Sequence, residues 1–430
     1  MKKVELLSPA GTLEKLKIAF DFGADAVYGG VSHFSLRIRS GKEFSMEEFK
    51  EGIDYAHALG KKVYATINGF PFNSQLNLLK KHILAMAELE PDAFIVATPG
   101  VLKLCNELAP QIPLHLSTQA NVMNVLDAKV FYDMGATRII TAREISLKDL
   151  VAIKEELPDL ELEVFVHGSM CFAYSGRCLI STLQSGRVPN RGSCANDCRF
   201  PYEIYAANPE TGTLFKLEED DGVGTYIMNA KDLNLASHMK EILDSGVVDS
   251  VKIEGRTKTA YYAGVTAKAY RMAIDDYYND EFNYDKYQYE LQSLQNRGYT
   301  DAYLVSRPFE KHDTQSLDFT MQLGTHQVSG VVGEDGKYFL CKYKTLPNDE
   351  LEVVAPLDSK IELVDNEIGT TYEKDGRLYL KLKQLLSKKG KIWEEVHSGN
   401  INPITLPTQF PPYTFLRIPA HKDMGTYPKS

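Results

Sequence analysis

Short apolar runs separated by longer amphipathic stretches fill the first two thirds of the chain. Val4–Ser8 (VELLS) predicts a buried strand, and Leu13, Leu16 and Phe20 behind it fall on one face of a helix. Ala24–Gly30 (ADAVYGG) and Lys61–Asn68 (KKVYATIN) predict the second and third strands. Four more are DAFIVAT, PLHLSTQ, ATRIITA and LELEVFV, beginning at Asp92, Pro113, Ala136 and Leu160. VDSVKIEG, Val248–Gly255, is the eighth. Stretches such as MEEFKEGIDYAHALG and QLNLLKKHILAMAELEP lie between them and have helical spacing. Apolar strands alternating with helices are the pattern of a parallel sheet covered on both faces.

Eight such units predict an α/β fold, a (β/α)8 TIM-like barrel, with an open doubly covered sheet as the alternative. Strand starts recur at short intervals up to the seventh, and then the step to the eighth is about ninety residues. This long insertion, about 168–228, holds hairpin-like material at Glu210–Leu217 around Gly212. In a barrel, the loop after a strand opens onto the C-terminal face, where barrel active sites sit. Beyond the eighth strand, RTKTAYYAGVTAKAYRMAIDDYY predicts a long helix, and ten tyrosines fall between Tyr261 and Tyr303. Packing on the barrel wall accounts for them more simply than stacking on nucleotide bases.

From about residue 320 the period changes to two. GEDGKY and EKDGRL place Asp-Gly turns between alternating apolar and polar residues, and ELEVVAP, KIELV and RLYLKLK read as short strands. The chain therefore divides into a barrel domain with C-terminal helices, 1–319, and a small all-β barrel or sandwich, 320–430. The second part carries 14 basic and 14 acidic residues, so the net charge of −10 belongs to the first. Lys381, Lys383, Lys388, Lys389 and Lys391 form its most basic stretch, which reads as a solvated face.

Composition narrows the class. The chain has 430 residues, 43% hydrophobic and 25% charged, as in soluble globular proteins. No run is long enough for a membrane span or a signal peptide, so a cytoplasmic location is expected, where disulfides are rare. The acidic balance leaves no global footprint for DNA, and it permits a local basic surface. No sequence feature sets an oligomeric state.

Four of the six cysteines then change the picture: Cys171, Cys178, Cys194 and Cys198 all fall inside the insertion. Clustering of thiols is not a packing requirement, because a structural cysteine is only a small buried hydrophobe. Their spacing is C-x6-C-x15-C-x3-C. Zinc ribbons favour C-x2-C pairs, whereas a 4Fe-4S cluster takes four thiolates at varied spacings, so iron–sulfur is favoured and zinc is the alternative. Gly168, Gly176 and Gly192 would let backbone amides approach cluster sulfides. Arg177, Arg191 and Arg199 would offset thiolate charge. Radical S-adenosylmethionine chemistry needs C-x3-C-x2-C, and Pro201 stands where its third cysteine would follow Cys194 and Cys198.

The run Glu163–Ser181, EVFVHGSMCFAYSGRCLIS, resembles the signature of the collagenase-like peptidase family of unassigned catalytic type. SPAG near the start, KIEGR at Lys252–Arg256 and the small C-terminal β domain extend the resemblance over nearly the whole chain. Its length is most similar to the branch of that family that hydroxylates tRNA. The resemblance implies oxygen-independent conversion of a wobble uridine to 5-hydroxyuridine, with a 4Fe-4S cluster and prephenate as co-substrate. The family's peptidase name implies proteolysis as the alternative. The sequence has neither an H-E-x-x-H helix nor a G-x-S-x-G elbow, which leaves a cysteine paired with His167 as the nucleophile such a reading would need. A third reading is a non-catalytic RNA-binding protein stabilised by structural zinc.

The barrel pattern places Ser8, Tyr28, Asn68, Gln119, Arg143, Glu144, His167, Lys252, Glu254 and Arg256 at strand C-termini. Arg143, Arg256 or Lys252 would pair with the two carboxylates of prephenate, and Glu144, Glu254 or His167 would move protons. His115 and His33 read as core or surface histidines, and several of the others have plain structural explanations as well.

Overall fold

All eight predicted strands form. The structure, a computed structural model, describes residues 3–31, 34–35, 44–187, 189, 193–200, 202–217, 229–305, 311–316, 321 and 324–420. The barrel strands are β1 (Glu5–Pro9), β2 (Ala26–Gly29), β3 (Lys62–Ile67), β4 (Ala93–Val96), β5 (Leu114–Leu116), β6 (Ala136–Ile140), β7 (Glu161–Ser169) and β8 (Ser250–Ile253). Each pairs in parallel with the next. β8 pairs in parallel with both β7 and β1, which closes the barrel. Strands of Val, Ile, Leu and Ala form here because both faces are covered.

The helices start where the sequence caps them. Thr12 Oγ1 accepts from the Lys15 amide before α1 (Leu13–Asp21). Ser45 and Glu48 close a capping box at the start of α2 (Met46–Ala58).

β7 is the longest barrel strand, at nine residues, and it runs past the rim. Its end pairs antiparallel with Asp232–Asn234, Ser169 opposite Asp232 and His167 opposite Asn234. The insertion therefore leaves β7 and returns beside it. The expected hairpin within it is present as Ile204–Ala207 paired with Leu214–Leu217, with Gly212 at φ +69°. The rest of the expected insertion, 218–228, lies outside the described residues, as do His33, Arg191 and Gly192.

The C-terminal part is a seven-stranded antiparallel sheet. Its order is Gly369–Lys374, Arg377–Leu382, Glu350–Val354, Phe415–Pro419, His326–Val332, Tyr338–Cys341 and Ile404–Thr405. Asp375 and Gly376, both at positive φ, make the two-residue turn expected from EKDGRL. KIELV, predicted as a strand, is not one. Thr371 takes up its backbone groups instead: its hydroxyl donates to Glu362 O and accepts from Val364 N, and its amide donates to Val364 O.

This sheet docks on the tyrosine-rich helix α3 (Ala260–Tyr278). Phe415 packs against Phe22 and Tyr261 at centroid distances of 5.5 and 5.2 Å. The fully buried Arg417 joins the two parts, donating to Glu290 Oε2 at 2.8 Å and to Glu352 Oε1 at 2.7 Å. The tyrosine run is largely packing. Tyr262, Tyr270 and Tyr287 are buried, with hydroxyls donating to Glu254 O, Val166 O and Asp276 Oδ2. In the lysine stretch, Lys383 pairs with Asp365 and Lys391 lies 3.8 Å over the Trp393 ring. Among the described residues, no helix is long and apolar enough to cross a membrane.

Candidate active site at the barrel mouth

A cavity of about 160 Å³ opens at the C-terminal face, and Cys171, Cys178, Cys194 and Cys198 all line it. None of the four is in a disulfide. Facing them are Arg143 from the turn after β6, Lys252 from β8, and Glu254 and Arg256 just beyond β8. Tyr28, Asn68 and Gln119 also reach the wall, whereas Ser8 is buried with an unpartnered hydroxyl.

Each cation has a defined anchorage. Lys252 Nζ donates to Glu163 Oε1 at 2.7 Å and lies 4.2 Å over the Tyr28 ring. Burial pulls the Lys252 pKa below the ordinary lysine value, with Glu163 working against that shift. Arg256 Nη1 donates to Ser35 Oγ and Thr66 Oγ1 at 2.7 and 3.0 Å. Arg143 lies over the Phe165 ring at 4.3 Å, with its Nη2 3.6 Å from Glu254 Oε2. Among the described residues, four cations, Arg143, Arg199, Lys252 and Arg256, thus meet one carboxylate, Glu254, at the cavity wall, a balance that favours an anionic ligand.

Glu163, unremarked in sequence, lies beneath this layer. Its second oxygen accepts from Arg138 Nη1 at 3.1 Å, and Arg138 also binds Glu5 and Glu161. The sequence signal was partial: Glu163 sits between apolar Leu162 and Val164, and its strand partner is Ser250, two positions before Lys252. His115, in the same interior, packs edge-on against Tyr64 at 4.6 Å, and burial holds its pKa well down.

His167 does not reach the cavity. The β7–β8 register shifts so that Lys252 faces Phe165 while Ile253 faces His167, which makes Val166 an extra residue. This bulge turns His167 away from the cavity, toward the rings of Tyr262 and Tyr270 on α3 and of Tyr299, at 5.9, 5.6 and 5.7 Å. Burial among them pulls its pKa down to about 3. The Cys–His pair that proteolysis would need is therefore not assembled. Cys171 also lacks an activated thiol's character: burial pushes its pKa up, and the Ala173 backbone and Arg143 only partly oppose that.

Glu144 also points elsewhere, its two carboxylate oxygens accepting from the Ser175 amide and hydroxyl. Arg177 donates from Nε to Gln119 O at 2.9 Å. Arg143 and Arg199 are the cations that act on thiols Cys171 and Cys198. Gly168, at φ +115°, serves close approach: a Cβ there would stand 2.4 Å from Glu254 O. Gly176 ends the short turn Tyr174–Gly176 between the first two cysteines.

The donor chemistry suits a soft metal or cluster: four sulfurs line one cavity, with Arg143 and Arg199 in the same lining. Among the described residues, no three His, Cys, Asp or Glu side chains already converge to coordinating distance. The thiols share a cavity and a mutual electrostatic field, with Cys198 sensing Cys171, Cys194 and Cys178.

A closed parallel barrel with a thiol-bearing loop at its C-terminal face defines the class. The chain belongs to peptidase family U32, whose sequence profile matches residues 11–314. It is 60% identical over 417 residues to the tRNA hydroxylation protein P of Helicobacter pylori (strain J99), covering 97% of this chain and 99% of that one. The protein of the same name from Escherichia coli (strain K12) is 37% identical over 412 residues, covering 86% and 90%. A solved U32 peptidase is 17% identical, with a TM-score of 0.39, covering 59% of this chain and 94% of that one.

Proposed function

We propose that this protein is a tRNA-modifying enzyme that hydroxylates the wobble uridine to 5-hydroxyuridine without oxygen, using a 4Fe-4S cluster and prephenate. The observation that carries the reading is the convergence of four thiols, none in a disulfide, and four cations on one cavity at the barrel mouth. The names of the two relatives, alike over nearly their full lengths, support the substrate.

In this reading Cys171, Cys178, Cys194 and Cys198 hold the cluster, which supplies electron-transfer chemistry when bound. Arg143 and Arg199 offset the charge of the thiolates. Arg256 and Lys252, each fixed by buried partners, are pre-organised to receive the carboxylates of a dianionic co-substrate. Arg143, held more loosely at 3.6 Å from Glu254, can turn from that carboxylate to an incoming one. Glu254 faces the cavity and is the group placed to move a proton.

The test is purification away from oxygen followed by iron, sulfide and zinc analysis. Iron and sulfide in stoichiometric amount, lost when Cys171 or Cys198 is replaced by serine, is the expected result. A colourless protein with one zinc would point instead to the zinc-stabilised RNA-binding reading. Nucleoside analysis of tRNA from a strain lacking the protein tests the substrate separately: unchanged 5-hydroxyuridine derivatives would remove it.

A further inference from the structure

We propose that Glu144 is a positioning residue that latches the Cys171–Cys178 segment to the barrel. Its metal readout rests on the proposed function; its structural readout does not. Glu144 stands beside Arg143 in the turn after β6, yet the two side chains diverge. Arg143 lines the cavity and Glu144 does not. The Glu144 carboxylate is a two-point clamp: Oε1 accepts from the Ser175 amide at 2.9 Å, and Oε2 accepts from its hydroxyl at 2.6 Å.

The clamped residue is unusual. Ser175 is 1% exposed and sits at φ +40°, a left-handed conformation that β-substituted residues seldom adopt. Such a conformation persists where surrounding contacts impose it, and a charge-assisted pair of hydrogen bonds is such a contact. Ser175 lies between Cys171 and Cys178, so the direction in which the chain leaves this turn sets where the second thiol points. A second tie, Arg177 Nε to Gln119 O, fixes the far side of the same turn to the neighbouring strand end. Both ties start from barrel strand ends, β6 and β5. The thiol pair is thereby referenced to the rigid scaffold, which suits a ligand pair that must be held in place.

The experiment measures alkylation of individual cysteines in the full-length, metal-free protein, resolved by mass spectrometry with iodoacetamide as the probe. Cys105, fully buried under the barrel helices, reports global opening. In Glu144→Ala, Cys171 and Cys178 should react at least about tenfold faster than in the wild type, as expected for losing a charged hydrogen bond, while Cys105 stays protected. Ser175→Ala, which keeps the amide bond, should give an intermediate increase. Glu144→Gln can still accept from the amide and donate to the hydroxyl, so it should restore protection together with the iron content and cluster absorbance of anaerobically purified protein.

Unchanged alkylation in Glu144→Ala overturns the proposal, and so does a Cys105 that becomes reactive in both Glu144→Ala and Ser175→Ala. A Glu144→Gln protein with normal iron and protected thiols but no turnover would overturn it in favour of a proton-transfer role. If the wild type binds no iron, the cluster reading fails while the alkylation rates still decide the latch.

Discussion

Replacing Glu163 by glutamine asks whether the charges beneath the cavity form one network. The carboxylate is fully buried and accepts from Lys252 at 2.7 Å and Arg138 at 3.1 Å. Arg138 keeps Glu5 and Glu161 in the variant, so the loss falls mainly on Lys252. Opposite charges at the Lys252–Glu163 spacing attract by about 6 kcal/mol at an effective dielectric constant of about 20, before desolvation is counted. Glutamine retains a neutral hydrogen bond, so the net cost should be about 3–5 kcal/mol, the range for breaking a buried pair. The pH signature is specific. Burial already lowers the Lys252 pKa, and Glu163 is its largest counterweight, so the variant lowers it further. Between that lowered value and the unfolded lysine value of about 10.4, the unfolded chain holds one more proton, and stability must rise with pH.

Urea unfolding of the wild type, Glu163→Gln, Lys252→Met and the double variant, at about pH 7 and about pH 9.5, measures the effect. Glu163→Gln should lose most at neutral pH and recover part at high pH. The double variant should lie within about 2 kcal/mol of the wild type, because replacing both members by uncharged residues leaves no stranded charge, and the glutamine amide can still accept from Arg138. A loss below about 1 kcal/mol at both pH values, or a double variant as damaged as the sum of the singles, would refute the network.

Three further outcomes follow from the same geometry. His167, with a folded pKa of about 3, binds fewer protons folded than unfolded between about pH 3 and its unfolded value of about 6.5, so the wild type should lose stability as pH falls through that window; His167→Phe should flatten this acid limb in thermal scans between pH 4 and pH 7. Gly168→Ala places a Cβ 2.4 Å from Glu254 O at a positive φ, and should cost about 2–3 kcal/mol or more in denaturant titrations. Arg417→Leu removes the buried cation shared by Glu290 and Glu352, leaving the half-buried Arg377 at 3.8 and 3.2 Å as their remaining arginine, and should destabilise by about 3 kcal/mol, read as a lower urea midpoint.

The barrel was legible because its strands are apolar along their length and its helices carry their own caps. The thiol loop was legible from spacing, and its place at the mouth from strand counting alone. What escaped depends on register. Straight alternation along β7 would aim His167 inward with Phe165; one extra residue, Val166, reverses it, and no composition signal marks the bulge. Glu163 escaped because a carboxylate between apolar neighbours acquires meaning only when Lys252 and Arg138 arrive from other strands. KIELV has the alternation of a strand, but Thr371 supplies its backbone partners at no regular period. Glu144 and Arg177 were read as chemistry, and their hydrogen bonds to Ser175 and Gln119 join segments that no sequence spacing brings together.

The pairing of Ser169 with Asp232 has a consequence for how this molecule can change. The two ends of the excursion from β7 are clasped by strand pairing before any of its interior is specified. The barrel therefore experiences the insertion as a closed appendage, and its length and content can vary with little effect on the eight strands beneath. Chemistry carried on such a cassette can be re-tuned, enlarged or exchanged while the scaffold and its interior charges stay as they are.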